Sequence, residues 1–241
     1  MHGFYLIHKP SGPTSAGVVG RIKWLLKQNG APKNIKIGHG GTLDPLATGL
    51  LPIGVGKCTK QLQMLLEGPK TYTFTIQFGT QKNTGDISGI TTFTSTNRPT
   101  LGQIEQTLPR FLGQIQQIPP QFSAIKLSGR KAYEIARAGG HAEIAPRTVT
   151  IHTLKLLDFQ TDTATFTATV SKGTYIRTLA EDIAQALDTV GHLTMLCRTQ
   201  HGPFQLHQAI PFEILDKSLQ SGDITTHLLP ALDEPLAEKA V

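Results

Sequence analysis

A chain of 241 residues, 39% hydrophobic and 17% charged, can bury a real core and fits one large domain or one domain with a small appendage. No charge-free apolar run of about 18 residues is present to span a bilayer, and the start Met1-His2-Gly3-Phe4-Tyr5 lacks the basic and apolar regions of a secretion signal. Cys58 and Cys197 stand far apart and outside any CxxC or Cys/His cluster, so membrane insertion, secretion, a disulfide framework and a zinc site have no support, and the cytoplasm is the expected location.

The net charge of +6 is unevenly placed. Residues 1–70 hold nine Lys or Arg against Asp44 and Glu67, whereas residues 209–241 carry six acids against two lysines. A basic front half is the footprint of a surface that neutralises phosphates, although a solvated charged face would look the same.

In chain order, residues 3–8 read as a strand ended by the turn Pro10-Ser11-Gly12-Pro13. A helix follows, with Ser15 as its cap, an apolar stripe of Val18, Val19, Ile22, Leu25 and Leu26, and Gly30 as its stop. Residues 70–78 give the clearest strand, since Tyr72, Phe74, Ile76 and Phe78 alternate with polar residues at the period of two that a half-buried sheet imposes. Asn83 to Asp86 reads as a turn, 101–108 as a short helix broken at Pro109, and Phe122–Leu127 and Arg147–Phe159 as strands, with a basic helical stretch, Lys131–Arg137, between them. Thr163–Val170 alternates again and leads through Ser171-Lys172-Gly173 into a helix from about Tyr175 to Leu187. This irregular interleaving predicts an α+β fold whose central mixed sheet is largely antiparallel and flanked by helices. The remaining residues beyond about 208 are too few for a core of their own. They are expected to pack back on the main domain or trail from it.

The densest run of special residues is Gly38-His39-Gly40-Gly41-Thr42-Leu43-Asp44-Pro45-Leu46-Ala47-Thr48-Gly49. Glycines at this density suggest a phosphate loop, but a Walker-type loop ending at Lys57 would need Gly where Leu51 stands and Ser or Thr where Cys58 stands. Asp44 before Pro45 has a plain structural explanation, as a turn starter or as the cap of a helix begun by Leu46 to Leu50. Yet Asp44 is the only carboxylate in the first 66 residues, set among glycines and positive charge. Such a setting keeps a carboxylate ionised near an anionic ligand.

That run resembles the catalytic motif of the bacterial tRNA uridine-55 pseudouridine synthase family (TruB). Four further segments resemble family motifs in the same order: Lys70-Thr71-Tyr72, Pro119 to Lys126 continued by Gly129 to Tyr133, Ser171 to Leu179, and His192 to Thr199. The resemblance implies the pseudouridine synthase fold with a thumb-like insertion near residues 120–148. It implies a catalytic domain over 1–208, with a short acidic extension over 209–241 in place of the PUA-type domain many relatives carry. It also implies roles: Asp44 as catalytic carboxylate, Tyr72 stacking on the target base, and Arg177 pairing with the aspartate. His39 would fill space left by everted nucleotides, Tyr175 and Leu196 would line the uracil pocket, and Lys172 and Lys126 would contact RNA. Position 40 is Gly where the family usually has Thr. The expected partner is transfer RNA through its T-arm stem-loop, met by a monomer with no membrane and no guide RNA. No cofactor or metal is expected, because breaking C1′–N1 and joining C1′ to C5 neither gains nor loses atoms. The rival readings are a glycoside hydrolase, which needs a second carboxylate that the Asp44 motif lacks, and a non-catalytic RNA-binding or tRNA-folding protein on the same fold.

Overall fold

The computed structural model describes residues 1–127 and 129–232, so the acidic positions Asp233, Glu234 and Glu238 of the expected extension lie outside the described residues. In chain order the elements are β1 (Gly3–Lys9), α1 (Ser15–Gln28), β2 (Ile37–His39), β3 (Thr48–Val55), α2 (Leu62–Glu67) and β4 (Lys70–Phe78). They continue with β5 (Thr80–Lys82), β6 (Thr91–Thr94), α3 (Leu101–Thr107), β7 (Gly113–Gln117), β8 (Lys126–Leu127), β9 (Arg130–Lys131), α4 (Ala132–Arg137) and β10 (Arg147–Gln160). The last are β11 (Thr163–Val170), α5 (Ile176–Ala186), β12 (Gly191–His201), β13 (Phe204–Gln205), β14 (Ile210–Pro211) and α6 (Phe212–Gln220).

The large sheet has the strand order β14-β1-β3-β12-β4-β11-β10-β7 and is mixed. Pairings β1/β3, β10/β11 and β7/β10 are antiparallel, and β1/β14 and β3/β12 are parallel. The α+β expectation and the mixed, largely antiparallel sheet are therefore both found. The chain forms two compact units, one of Met1–Tyr72 with the segment from Cys197 onward, the other of Thr73–Leu196.

In the first unit, Phe4, Leu6, Leu50, Cys58, Leu62, Leu65 and Phe204 form one buried cluster. Helix α1 begins one residue earlier than expected, because Thr14 caps it by accepting from the Gly17 amide at 2.9 Å. The Ser15 hydroxyl is turned instead to Leu43, accepting from its amide at 2.8 Å and donating to its carbonyl at 3.1 Å. Segment 210–220 packs back on this unit, with β14 beside β1 and Arg21 paired with Asp216 at 2.6 Å.

In the second unit, β4 and β11 alternate as the sequence predicts, and Phe74 stacks on Phe166 at 5.4 Å between centroids. Residues 118–146 leave the sheet between Gln117 and Arg147, which are direct partners in the β7/β10 ladder. They carry the β8/β9 hairpin and α4, which is the thumb-like insertion. The strand expected over Phe122–Leu127 is reduced to Lys126–Leu127. The carbonyls of Ser123 and Ile125 instead accept from Tyr133 and Ala132 at the start of α4, and Gln121 holds the Ala142 backbone.

Leu46 to Leu50 begins no helix, for Thr48–Val55 is strand β3. The turn reading of Asp44 survives, since its carbonyl accepts from Ala47 N at 3.1 Å. Gly49 opens β3 with φ +104, and a Cβ there would lie 2.4 Å from the Arg198 carbonyl oxygen in the paired strand β12. Gly49→Ala must then move backbone against backbone, and we expect it to lower unfolding free energy by about 2 kcal/mol or more. Urea unfolding of the two proteins measures this; equal midpoints and slopes would contradict the close approach.

Candidate active site

The loop from Gly40 to Ala47 is fixed almost residue by residue. Gly40 donates to the Pro52 carbonyl at 2.9 Å, Leu43 is held at both backbone groups by Ser15, and the Pro45 carbonyl accepts from Gly12 N at 2.8 Å and from Lys9 Nζ at 3.0 Å. Lys9 is fully buried and also donates to the carbonyls of Pro10 and Pro13. Burial pulls its pKa down to about 8, while the nearby charge of Asp44 works the other way.

Arg198 is 1% exposed. Its guanidinium donates to the carbonyls of Leu50 at 2.8 Å, Gly41 at 3.0 Å and Thr42 at 3.5 Å, and so ties both ends of the loop to β12. Gly41 adopts φ +148, and a Cβ there would meet the His201 ring at 3.0 Å. His201 donates from Nε2 to the Leu65 carbonyl at 2.8 Å, and burial together with the Arg198 charge pushes its pKa down to about 3. His39, on β2, accepts from Gly41 N through Nδ1 at 3.3 Å, and burial and then Arg198 lower its pKa as well. Both imidazoles are accordingly neutral near pH 7, with His39 protonated on Nε2.

Half-buried Asp44 therefore sits on a rigid loop beside Lys9. Tyr72 lies half-buried on β4, next to Thr71, whose carbonyl accepts from Thr199 of β12 at 3.3 Å. Asp44, His39 and Tyr72 all belong to the first unit.

The other expected residues belong to the second unit. Arg177 is 4% exposed and donates to the carbonyls of Thr84 at 2.9 Å and Phe122 at 3.0 Å. Tyr175 is the N-cap of α5, Lys172 is exposed in the turn before it, Leu196 is half-buried on β12, and Lys126 is exposed on β8. One helical turn beyond Arg177, burial raises the Glu181 pKa to about 7, with the charge of Asp182 and more weakly Asp86 adding to this and Arg177 opposing it. Among the described residues no group of three or more His, Cys, Asp or Glu is placed to hold a metal ion, and no helix is long and apolar enough to cross a membrane.

Sequence reasoning missed Lys9, Ser15 as a loop anchor, Arg198 and His201. Their partners are carbonyl oxygens, which leave no mark on side-chain spacing; the one available signal was a Lys and an Arg inside otherwise strand-like segments.

The description "TruB family pseudouridylate synthase (N terminal domain)" matches residues 23–176, and "tRNA pseudouridylate synthase B C-terminal domain" matches residues 177–236. The chain belongs to the TruB family of pseudouridylate synthases. It is 47% identical to the tRNA pseudouridine synthase B of Novosphingobium aromaticivorans over 95% of this chain and 76% of that protein. It is 44% identical to the protein of the same name from Zymomonas mobilis, over 95% and 76%. Among solved structures it resembles a chain of a Cbf5-Nop10-Gar1 complex, with TM-score 0.67 and 30% identity, covering 89% of this chain and 54% of that one. It also resembles a chain of an H/ACA RNP bound to a substrate RNA containing 2′-deoxyuridine, with TM-score 0.68 and 26% identity, covering 95% and 59%. This chain thus spans little more than half the length of those two.

Two outcomes follow from these contacts. Arg198→Met keeps the volume but removes the guanidinium donors to three carbonyls, and should cost about 3 kcal/mol of stability by chemical unfolding. For Glu181 the folded pKa of about 7 lies above the unfolded value of 4.5, so the unfolded chain gives up the proton first and stability falls as pH rises between those values. Glu181→Gln should therefore gain on the parent between pH 4 and pH 8, by on the order of 2 kcal/mol. A constant difference across that range would refute the assignment.

Proposed function

We propose that this protein converts a uridine of transfer RNA to pseudouridine, acting on the T-arm loop at position 55 with Asp44 as the catalytic carboxylate. The observation that carries the reading is a carboxylate held on a loop pinned by Lys9, Ser15 and Arg198, in a chain of the TruB family.

The isomerisation detaches uracil from ribose C1′, turns it and rejoins it through C5, so it needs neither oxidant nor cosubstrate. Departure of the base leaves positive character at the anomeric centre. The Asp44 carboxylate serves either by attacking C1′ as the base leaves, by taking a ribose proton as that charge develops, or by adding to C6 of the uracil itself. Arg177 is the second residue assigned to the reaction, on the strength of the family motif that Ser171 to Leu179 resembles. The target nucleotide is turned out of the loop at a cost of a few kcal/mol, which stacking on Tyr72 helps to offset. Neutral His39 fills the space it leaves without adding charge to the site. Tyr175 and Leu196 wall the uracil, and Lys126 and Lys172 lie against phosphates, so affinity falls as salt rises. The protein acts without a guide RNA, and its two free thiols suit the reducing cytoplasm.

The purified chain is incubated with an unmodified T-arm stem-loop and no added factor, and conversion of the loop uridine is followed by mass-tagging of pseudouridine. The parent is expected to convert the RNA fully, and Asp44→Asn to fall by roughly 10⁴-fold or more while binding the RNA within about three-fold. Binding without conversion by the parent itself would return the reading to an RNA-binding protein. Loss of binding and conversion together in Asp44→Asn would make Asp44 structural.

A further inference from the structure

Tyr175 is gripped from two sides by one rung of the β7/β10 ladder. Gln117, 1% exposed, accepts from the Tyr175 amide through Oε1 at 3.0 Å and donates through Nε2 to the Tyr175 carbonyl at 3.3 Å. Its cross-strand partner Arg147 lays its guanidinium over the Tyr175 ring, with Cζ 4.6 Å from the centroid, and donates through Nη2 to the Gly173 carbonyl. The primary amide thus fixes the main chain of the tyrosine, and the guanidinium fixes the plane of its ring.

The placement of Arg147 is not explained by its hydrogen bonds. Its Nε is buried without an acceptor, and an unmatched buried donor is unfavourable. Stacking of a flat cation on an aromatic face compensates such a position, and the flatness of arginine is what lysine lacks.

We infer that Gln117 and Arg147 are positioning residues for the reaction, presenting the Tyr175 ring to the target base at a fixed angle with only its far face and edge open. The inference rests on the reading of Tyr175 as a wall of the uracil pocket. The rung is also the base of the thumb-like insertion, because residues 118–146 leave from Gln117 and return at Arg147. The same two side chains therefore root that insertion and hold the tyrosine.

The test is single-turnover conversion of a saturating T-arm stem-loop, with binding titrated separately, for Arg147→Met, Arg147→Lys, Tyr175→Leu and the Arg147→Met/Tyr175→Leu pair. The inference expects Arg147→Met to slow conversion about ten-fold with affinity within two-fold. It expects Arg147→Lys, which keeps the charge, to recover part of the rate, and Arg147→Met to add nothing once Tyr175 is Leu. Should Arg147→Met lose its cooperative melt, Arg147→Lys against the parent carries the comparison, with a three-fold slowing at unchanged affinity expected. The inference is overturned if Arg147→Met binds more weakly with a smaller salt slope but converts bound RNA at the parent rate, which is the behaviour of a phosphate contact. It is equally overturned if the substitution slows conversion as much without Tyr175 as with it, or if neither Arg147 variant changes the rate. Tyr175→Leu at the parent rate would remove the pocket reading itself; Tyr175→Leu slow with Arg147→Met unaffected would remove only the clamp.

Discussion

The structure depends first on a guanidinium taken out of water and matched to main-chain oxygens. Arg198 is 1% exposed, and its donors go to the carbonyls of Gly41, Thr42 and Leu50. Burying a cation costs several kcal/mol unless the acceptors around it are well placed, so the loop is held to the conformation that places them. Gly41 takes φ +148, and Gly49 lets β3 come against β12 where no side chain fits. Burial, and after it the same charge, disfavours protons on His39 and His201, and burial with a smaller contribution from Arg198 lowers the pKa of Lys9 to about 8.

The fold was legible where a segment had one wet face. Strands β4 and β11 and helix α5 show their periodicity because each has a buried and a partly exposed side. Strand β3 does not, since Gly49 through Val55 is buried on both faces between β1 and β12. A run of that kind has no alternation to read, and with Asp44-Pro45 ahead of it, Leu46 to Leu50 looked like a helix start. Phe122 to Leu127 failed for the opposite reason. Its composition suits a strand, but its backbone is satisfied by the turn into α4 and by Gln121, a tertiary choice invisible to local pattern.

At the proposed site, Asp44 stands out in sequence because it is chemically isolated, one carboxylate among glycines and basic residues, and the ordered motifs give it a context. The residues that immobilise it were not. Lys9 and Arg198 look like ordinary surface cations in sequence, and Ser15 looks like a helix cap until Thr14 is seen to do that work. A side chain that recognises backbone carbonyls depends on where the chain returns in space, and β12 returns to β3 only after some 150 residues of intervening fold. Glycine was the better clue, because Gly41 and Gly49 mark backbone that must approach something closely even when the partner is unknown.

The cations divide into two groups by their access to solvent. Lys9 and Arg198 are buried and bonded to carbonyls, whereas Lys126 and Lys172 are exposed. Salt screens exposed charges beyond a Debye length of about 8 Å but acts weakly on buried ones, so ionic strength acts on Lys126 and Lys172 far more than on the bonds that Lys9 and Arg198 make around the Asp44 loop. Had one set of cations served both ends, phosphate oxygens would compete with the Gly41 and Pro45 carbonyls for the same donors. Each binding event would then loosen the loop that presents the carboxylate. On the proposed function, exposed lysines meet the RNA while the loop around Asp44 keeps the conformation that the buried cations give it.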